Sequence, residues 1–226
     1  MTTGFASTPK STETLIRLPR YTSYPTAMSF TGAVGPDQFA AWASAVPAET
    51  VMSAYIHVPF CHSLCWFCGC QTSITSRYRP VAAYVETLLR EIDLVAGLLR
   101  GRRTIERLHW GGGTPTMIAP DDWMSIDERL RQRFNLAEDA EISIELDPRS
   151  VGDDHLRALA ATGVTRASIG VQDFDLEVQK SVNRVQPPQL TARLTAKLRG
   201  IGVANVNIDL MYGLPRQTEA GVARTA

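Results

Sequence analysis

Val51-Met52-Ser53-Ala54-Tyr55-Ile56-His57-Val58 runs straight into Pro59-Phe60-Cys61-His62-Ser63-Leu64-Cys65-Trp66-Phe67-Cys68-Gly69-Cys70. The first part is apolar and β-prone, the pattern of a strand. The second holds all 4 cysteines of the chain, between positions 61 and 70. A disulfide framework spreads its cysteines over a fold, and this cluster does not. The unit is therefore a strand that ends in a loop of soft, metal-binding groups.

The same arrangement recurs along the chain. Ile105–Trp110 reads as a strand that stops at Gly111-Gly112-Gly113. Ile142–Leu146 is a strand closed by Asp147-Pro148, Arg166–Val171 a strand before Gln172, and Ala204–Leu210 a strand running into Tyr212-Gly213-Leu214-Pro215. Helical stripes lie between them. Val81–Leu99 places Val81, Tyr84, Val85, Leu88, Leu89, Ile92, Val95, Leu98 and Leu99 on one face. Asp121 or Asp122 is expected to cap a helix carrying Trp123, Ile126, Leu130 and Phe134. Further helices are expected over Asp153–Ala161, Phe174–Val182 and Gln189–Leu198.

Strands alternating with helices imply parallel βα units. The cysteine loop, Gly111–Thr116, Glu145, Gln172 and Asp209 all fall at C-terminal strand ends. Ligands gather there in barrels and in doubly wound sheets alike. Every strand contributes and no single switch point dominates, so the expected fold is α/β: a partial (βα) barrel of about five parallel strands with outer helices. Residues 1–50 read as a partly disordered lead-in with one amphipathic stretch around Phe39 and Trp42, and residues 51–226 as the barrel. Gln217-Thr218-Glu219 reads as the start of another helix, and a sixth strand is expected after it, so the chain reads as truncated.

Composition excludes some classes. The 23 basic residues balance 23 acidic ones, so no charge excess points to nucleic acid. No run of about 18 apolar residues appears, so no membrane span is expected. Cysteines kept reduced for metal imply a reducing compartment, most simply the cytoplasm.

Three thiolates separated by three and two residues can converge from one loop. That suits an iron–sulfur cluster with one iron left without a protein ligand. Structural zinc usually takes two separated knuckles, and no second knuckle exists here. His57 and His62 keep a compact zinc site open as an alternative. Four unliganded buried cysteines would be the blandest reading, but their crowding after a strand argues against it.

The resemblances follow from these residues. Cys61-x3-Cys65-x2-Cys68, with Phe67 before the last cysteine, resembles the radical S-adenosylmethionine (radical SAM) signature. Gly111-Gly112-Gly113-Thr114-Pro115-Thr116 resembles its glycine motif, which holds the amino group of SAM. Arg20–Ala27, Tyr55–His62, Cys65–Cys70, Leu108–Thr116, Glu145–Arg149, Gly170–Phe174 and Asp209–Pro215 together resemble the oxygen-independent coproporphyrinogen III oxidase family. The match runs from about residue 15 to 217, and family members have a further C-terminal half. A haem-chaperone paralogue and a radical methyltransferase that opens haem rings are the enzyme alternatives. Cys70 and the Tyr21–Ala27 stretch argue against both.

The resemblance implies a [4Fe–4S] cluster on Cys61, Cys65 and Cys68, with Cys70 not a ligand. It implies two SAM molecules per site. Tyr55, Gly112 and Glu145 would contact the first; Phe67, Gly113, Thr114, Gln172, Arg184 and Asp209 would line the pockets, mostly the second. The reaction implied is oxidative decarboxylation of two propionates of coproporphyrinogen III to vinyl groups, through a 5′-deoxyadenosyl radical, giving protoporphyrinogen IX. A one-electron donor such as flavodoxin or ferredoxin is the implied partner, the enzyme a monomer, and no catalytic acid or base is assigned. Gly113→Val is expected to weaken SAM binding and leave the cluster in place, and the 226-residue chain is expected to turn over poorly by itself.

Overall fold

Alternation along the strands decides how the sheet is buried. The computed structural model describes residues 26–226. Residues 1–14 and Tyr21–Pro25 of the lead-in motif lie outside the described residues. The chain divides at Phe39, and Ala40–Ala226 forms the compact unit described here. Its strands are β1 (Met52–Val58), β2 (Phe60–Cys61), β3 (Ser73–Ile74), β4 (Thr104–Gly112), β5 (Asn135–Leu146), β6 (Arg166–Gln172) and β7 (Asn205–Leu210). The helices are α1 (Pro36–Ala45), α2 (Arg79–Leu98), α3 (Pro120–Arg133), α4 (Asp153–Ala161), α5 (Leu176–Ser181), α6 (Pro188–Gly200) and α7 (Glu219–Thr225).

Five strands form one parallel sheet in the order β1-β4-β5-β6-β7. Chain order and sheet order agree, so the winding never reverses and there is no switch point. The sheet is open, as a partial barrel requires. One face of every inner strand is apolar and buried: Leu108 and Trp110, Ile142, Ile144 and Leu146, then Ala167, Ile169 and Val171. Val81, Val85, Leu88 and Ile92 of α2, Trp123, Ile126 and Leu130 of α3, and Leu194 and Leu198 of α6 share that core. The opposite face carries His109, Ser143, Glu145, Ser168, Gly170, Gln172, Asn207 and Asp209, none of them buried. A parallel strand covered on both faces reads as a continuous apolar run. Here the alternation leaves one face for polar work.

Trp110 and Trp123 anchor the core just behind the glycine run. Their rings stack with centroids 4.0 Å apart. Trp110 is 1% exposed, and Trp123 Nε1 donates to Thr162 Oγ1 at 3.1 Å. Trp110→Ala is expected to cost about 3–5 kcal/mol, read as a lower urea midpoint at unchanged slope. A midpoint equal to that of the parent chain would show that this pair does not hold the glycine end of β4.

Element limits differ from expectation most clearly in three places, while β4 also runs on through Gly111 and Gly112. β5 starts at Asn135, well before Ile142, because β4 recruits it: Thr104 pairs with Asn135, and a register shift between Ile105 and Arg107 brings Arg107 to Glu141. Residues 135–140 carry little apolar signal, so only the pairing makes them a strand. α3 takes Ala119 as its N-cap with Pro120 in its first turn, not Asp121 or Asp122. Proline loses nothing there because that N–H is unpaired anyway, and the two carboxylates sit in the first turn, where the helix dipole favours them. α5 starts after Asp175, whose Oδ1 accepts from the N–H groups of Glu177 and Val178.

Candidate active site

The cysteine loop is pinned at its base. β2 and β3 pair Phe60 with Ser73 and Cys61 with Ile74, and Thr75 N donates to Cys61 O at 3.0 Å. Its outer part docks on the end of α5: Trp66 N donates to Val182 O at 3.0 Å and Asn183 Nδ2 to Leu64 O at 2.7 Å. Phe67 packs against Val178, Val182 and Leu214. All four cysteines of the loop line the cleft, and hydrogen bonds reach the sulfurs of Cys61, Cys65 and Cys68.

Each of those sulfurs meets hydrogen-bond donors. Cys61 Sγ accepts from Thr72 Oγ1 at 3.3 Å and Thr114 Oγ1 at 3.4 Å. Cys65 Sγ accepts from Arg184 Nη1 at 3.4 Å and lies 3.8 Å from Arg149 Nη2. Cys68 Sγ accepts from the backbone N–H of Cys70 at 3.4 Å. Cys70 itself is exposed. Loss of solvation, then its contact with Cys68 and the nearby Glu145 and Cys61 charges, push its thiol up to about 11.

The glycine run is sewn to the same loop. Gly113 N donates to Val58 O and Thr114 N to Phe60 O, both at 2.8 Å. Gly112 and Gly113 have no room for a side chain, and Gly111 has little. A Cβ on Gly111 would lie 3.0 Å from Glu145 Cδ and Tyr55 Cε2; on Gly112, 2.8 Å from His57 Nδ1; on Gly113, 2.6 Å from Phe60 O and 3.0 Å from Cys61 Sγ. Gly112 also has φ +108°, which a side chain would strain.

The polar rim continues across the sheet. Gly112 N donates to Glu145 Oε2 at 3.2 Å, while His109 Nε2 stands 3.3 Å from Oε1. Asp209 receives Ser168 Oγ at 2.8 Å and Asn207 Nδ2 at 2.7 Å. Gln172 sits at φ +73°, beside the register shift that ends the β6–β7 pairing. A non-glycine residue held there costs of order 1–3 kcal/mol, and such strain clusters at functional sites. Arg184 is buried, donates Nη2 to Gly170 O at 2.6 Å, and among the described residues leaves its Nε without a partner.

These groups open into one cleft of about 160 Å³, lined by Cys61, Cys65, Cys68, Cys70, Phe67, Gly112, Gly113, Thr114, Glu145, Gln172, Arg184 and Asp209. Tyr55 lines an adjoining groove along β1, with its ring edge beside Gly111 at the Glu145 end of the cleft. Its hydroxyl pairs with His57 Nδ1 at 2.9 Å and its ring stacks on His109 with centroids 5.6 Å apart. Burial, then Glu145 and Cys70, raise the Tyr55 hydroxyl above its ordinary range. Sequence reasoning gave no role to Thr72, Asp147, Arg149, Ser168 and Gly170, which also line the cleft. Ser168 and Gly170 were recoverable from the two-residue period that places them on the face of Gln172.

The donor set fits a thiolate-bound iron–sulfur group. Its thiols carry N–H and O–H donors, which such clusters use. A single zinc ion fits less well. Among the described residues no three His, Cys, Asp or Glu groups gather to hold one ion. Both nitrogens of His57 are engaged, Nδ1 by Tyr55 and Nε2 with Gln71 O at 2.8 Å.

Known proteins match this arrangement. The model of the radical SAM superfamily matches residues 55–226. The oxygen-independent coproporphyrinogen III oxidase of Bradyrhizobium diazoefficiens is 46% identical over 209 residues, covering 92% of this chain and 46% of the relative. That of Escherichia coli is 45% identical over 92% of this chain and 45% of its own length. The chain thus spans about half the length of the curated relatives it matches. The solved coproporphyrinogen III oxidase of Escherichia coli, titled a radical SAM enzyme, superposes with a TM-score of 0.85 at 44% identity, over 91% of this chain and 47% of that one. A radical SAM methyltransferase from Kitasatospora setae shares the fold with a TM-score of 0.52 at 15% identity.

Proposed function

This chain belongs to the radical SAM superfamily, and we propose that its cleft holds a [4Fe–4S] cluster and SAM for the oxygen-independent oxidation of coproporphyrinogen III. The observation that carries the reading is the cleft itself. Three donor-supported thiols, the crowded glycine run and the polar ends of β5, β6 and β7 face one opening. When bound, the cluster and SAM supply the one-electron chemistry that removes a hydrogen atom from a propionate side chain of the substrate.

The chain's own residues bind and orient. Cys61, Cys65 and Cys68 are the cluster ligands, and Cys70, though it lines the same cleft, is not one. Gly112, Glu145 and neighbouring Tyr55 form the binding edge for one SAM. Gly113, Thr114, Phe67, Gln172, Arg184 and Asp209 line the SAM pockets, mostly that of a second. The orphan Nε of buried Arg184 is a donor awaiting an acceptor. Asp209 and Glu145 are oriented by Ser168, Asn207, His109 and the Gly112 N–H, ready to receive hydroxyl or amino hydrogens. The reaction needs the low potential of a cell interior, so we place the protein in the cytoplasm as a monomer, with a flavodoxin or ferredoxin as donor. Among the described residues no helix is long and apolar enough to cross a membrane.

The test is anaerobic reconstitution with iron and sulfide, followed by absorbance and electron paramagnetic resonance with and without SAM. Four irons and four sulfides per chain are expected from the composition of a [4Fe–4S] cluster, with a resonance that changes when SAM is added. Stoichiometric zinc that iron and sulfide do not displace would refute the cluster. A SAM-sensitive cluster in a full-length relative carrying this segment, without carbon dioxide release from coproporphyrinogen III, would refute the substrate.

A further inference from the structure

We propose that Arg149 raises the reduction potential of the cluster through Cys65, with Asp147 limiting how much positive charge reaches the sulfur; this rests on the cluster reading above. Asp147 and Arg149 follow β5, on a turn opposite the cysteine loop. Cys65 is the buried member of the three thiols. Two guanidiniums approach its sulfur, Arg184 Nη1 at 3.4 Å and Arg149 Nη2 at 3.8 Å. The second distance is long for a hydrogen bond to sulfur, so its effect is chiefly that of charge.

The Asp147 carboxylate sits between the two cations. It receives Arg149 Nε at 2.9 Å and Nη2 at 2.6 Å, and Arg184 Nη1 at 3.3 Å. The Arg149 backbone N–H also donates to it at 3.0 Å. Side-chain exposure is 14% for Asp147, 25% for Arg149 and 10% for Arg184, so solvent screens the group weakly. Burial alone would raise the Asp147 carboxyl, but the Arg149 fork and the Arg184 and Arg149 charges outweigh it and hold it below the ordinary range. The carboxylate therefore stays ionised, and two cations against one anion leave one net positive charge beside the sulfur.

Reduction of the cluster adds one negative charge. Hydrogen bonds to sulfur, net charge and solvent exposure set cluster potentials, and groups beyond the ligands do part of that setting. A net cation beside Cys65 favours the reduced form. Removing Arg149 cancels that cation, while removing the Asp147 charge exposes two. The variants should move the potential in opposite directions, which a merely structural role would not produce.

The experiment reconstitutes the parent chain, Arg149→Gln, Asp147→Asn and Arg149→Lys anaerobically, measures iron and sulfide, and then titrates each redox potential by electron paramagnetic resonance. Arg149→Gln should keep its cluster and lose roughly tenfold in the equilibrium constant for reduction, about 59 mV for a one-electron couple. Asp147→Asn should shift the other way by a similar factor, and Arg149→Lys should lie between the parent and Arg149→Gln. Should one variant not fold, the direction of the other decides. Unmoved potentials, or loss of the cluster from both, would overturn the tuning role. A parent chain that takes up no cluster refutes the function proposed above, and that result is read before any variant is compared.

Discussion

Cys61→Ala, Cys65→Ala and Cys68→Ala are each expected to leave the protein unable to retain a cluster, while Cys70→Ala keeps most of it. Donors around the sulfurs separate the four residues. Threonine hydroxyls reach Cys61, guanidiniums reach Cys65, and a backbone N–H reaches Cys68. Such donors stabilise sulfur that carries negative charge. Cys70 contributes its backbone N–H to Cys68 and is the most exposed of the four. The measurement is iron and sulfide content after anaerobic reconstitution and desalting, with a thermal melt to confirm folding. Equal loss in the Cys70 variant would overturn the three-ligand assignment. So would a Cys68 variant that keeps a full cluster.

Much of the fold was legible because its strands alternate. Ala167, Ile169 and Val171 point into the helical layer while Ser168, Gly170 and Gln172 face away, and the same two-residue period runs through Ile142–Leu146. Short strands bounded by glycine, proline and aspartate gave the βα repeat. What could not be read was pairing. The early start of β5 depends on a register shift in β4, and the small β2–β3 pair brings Cys61 to Ile74 across a loop. No local propensity marks either one.

The site was legible to the extent that chemistry sat at strand ends. Glu145, Gln172 and Asp209 were found that way, and all three line the cleft with the thiols. Tyr55 was placed at the same site by matched position, and its ring lies beside Gly111, stacked on His109 along the adjoining β1 groove. Asp147 and Arg149 were visible as a motif but carried no assigned role, because their partner Cys65 lies 84 positions from Arg149 in sequence. A contact of that range leaves no trace in local pattern. Asp173 shows the same limit: it is 2% exposed, and it accepts from Gln217 Nε2 at 2.6 Å and Thr225 Oγ1 at 3.0 Å, tying β6 to α7 beneath the cleft.

Gly113→Ala is expected to strip the cluster as well as SAM. This differs from the expectation drawn from the motif, in which a side chain there would weaken SAM binding alone. Distances decide the change. The new Cβ would stand 2.6 Å from Phe60 O and from Thr72 Oγ1, and 3.0 Å from Cys61 Sγ. Phe60 O cannot retreat freely, because it already accepts Thr114 N at 2.8 Å, and Gly113 N is itself held by Val58 O at 2.8 Å. Overpacking of this kind costs about 1–3 kcal/mol, and here the strain falls on the strand end that carries Cys61. Gly69→Ala is the control: it lies in the same loop, where a Cβ meets nothing within 4 Å, and it should hold its cluster. Iron content and SAM affinity by equilibrium dialysis separate the outcomes. A Gly113→Ala protein with a full cluster and lost SAM binding would return the glycine to a ligand-contact role alone. One with both intact would show that the gap between the glycine run and the cysteine loop opens easily, and that the close approach does not position Cys61.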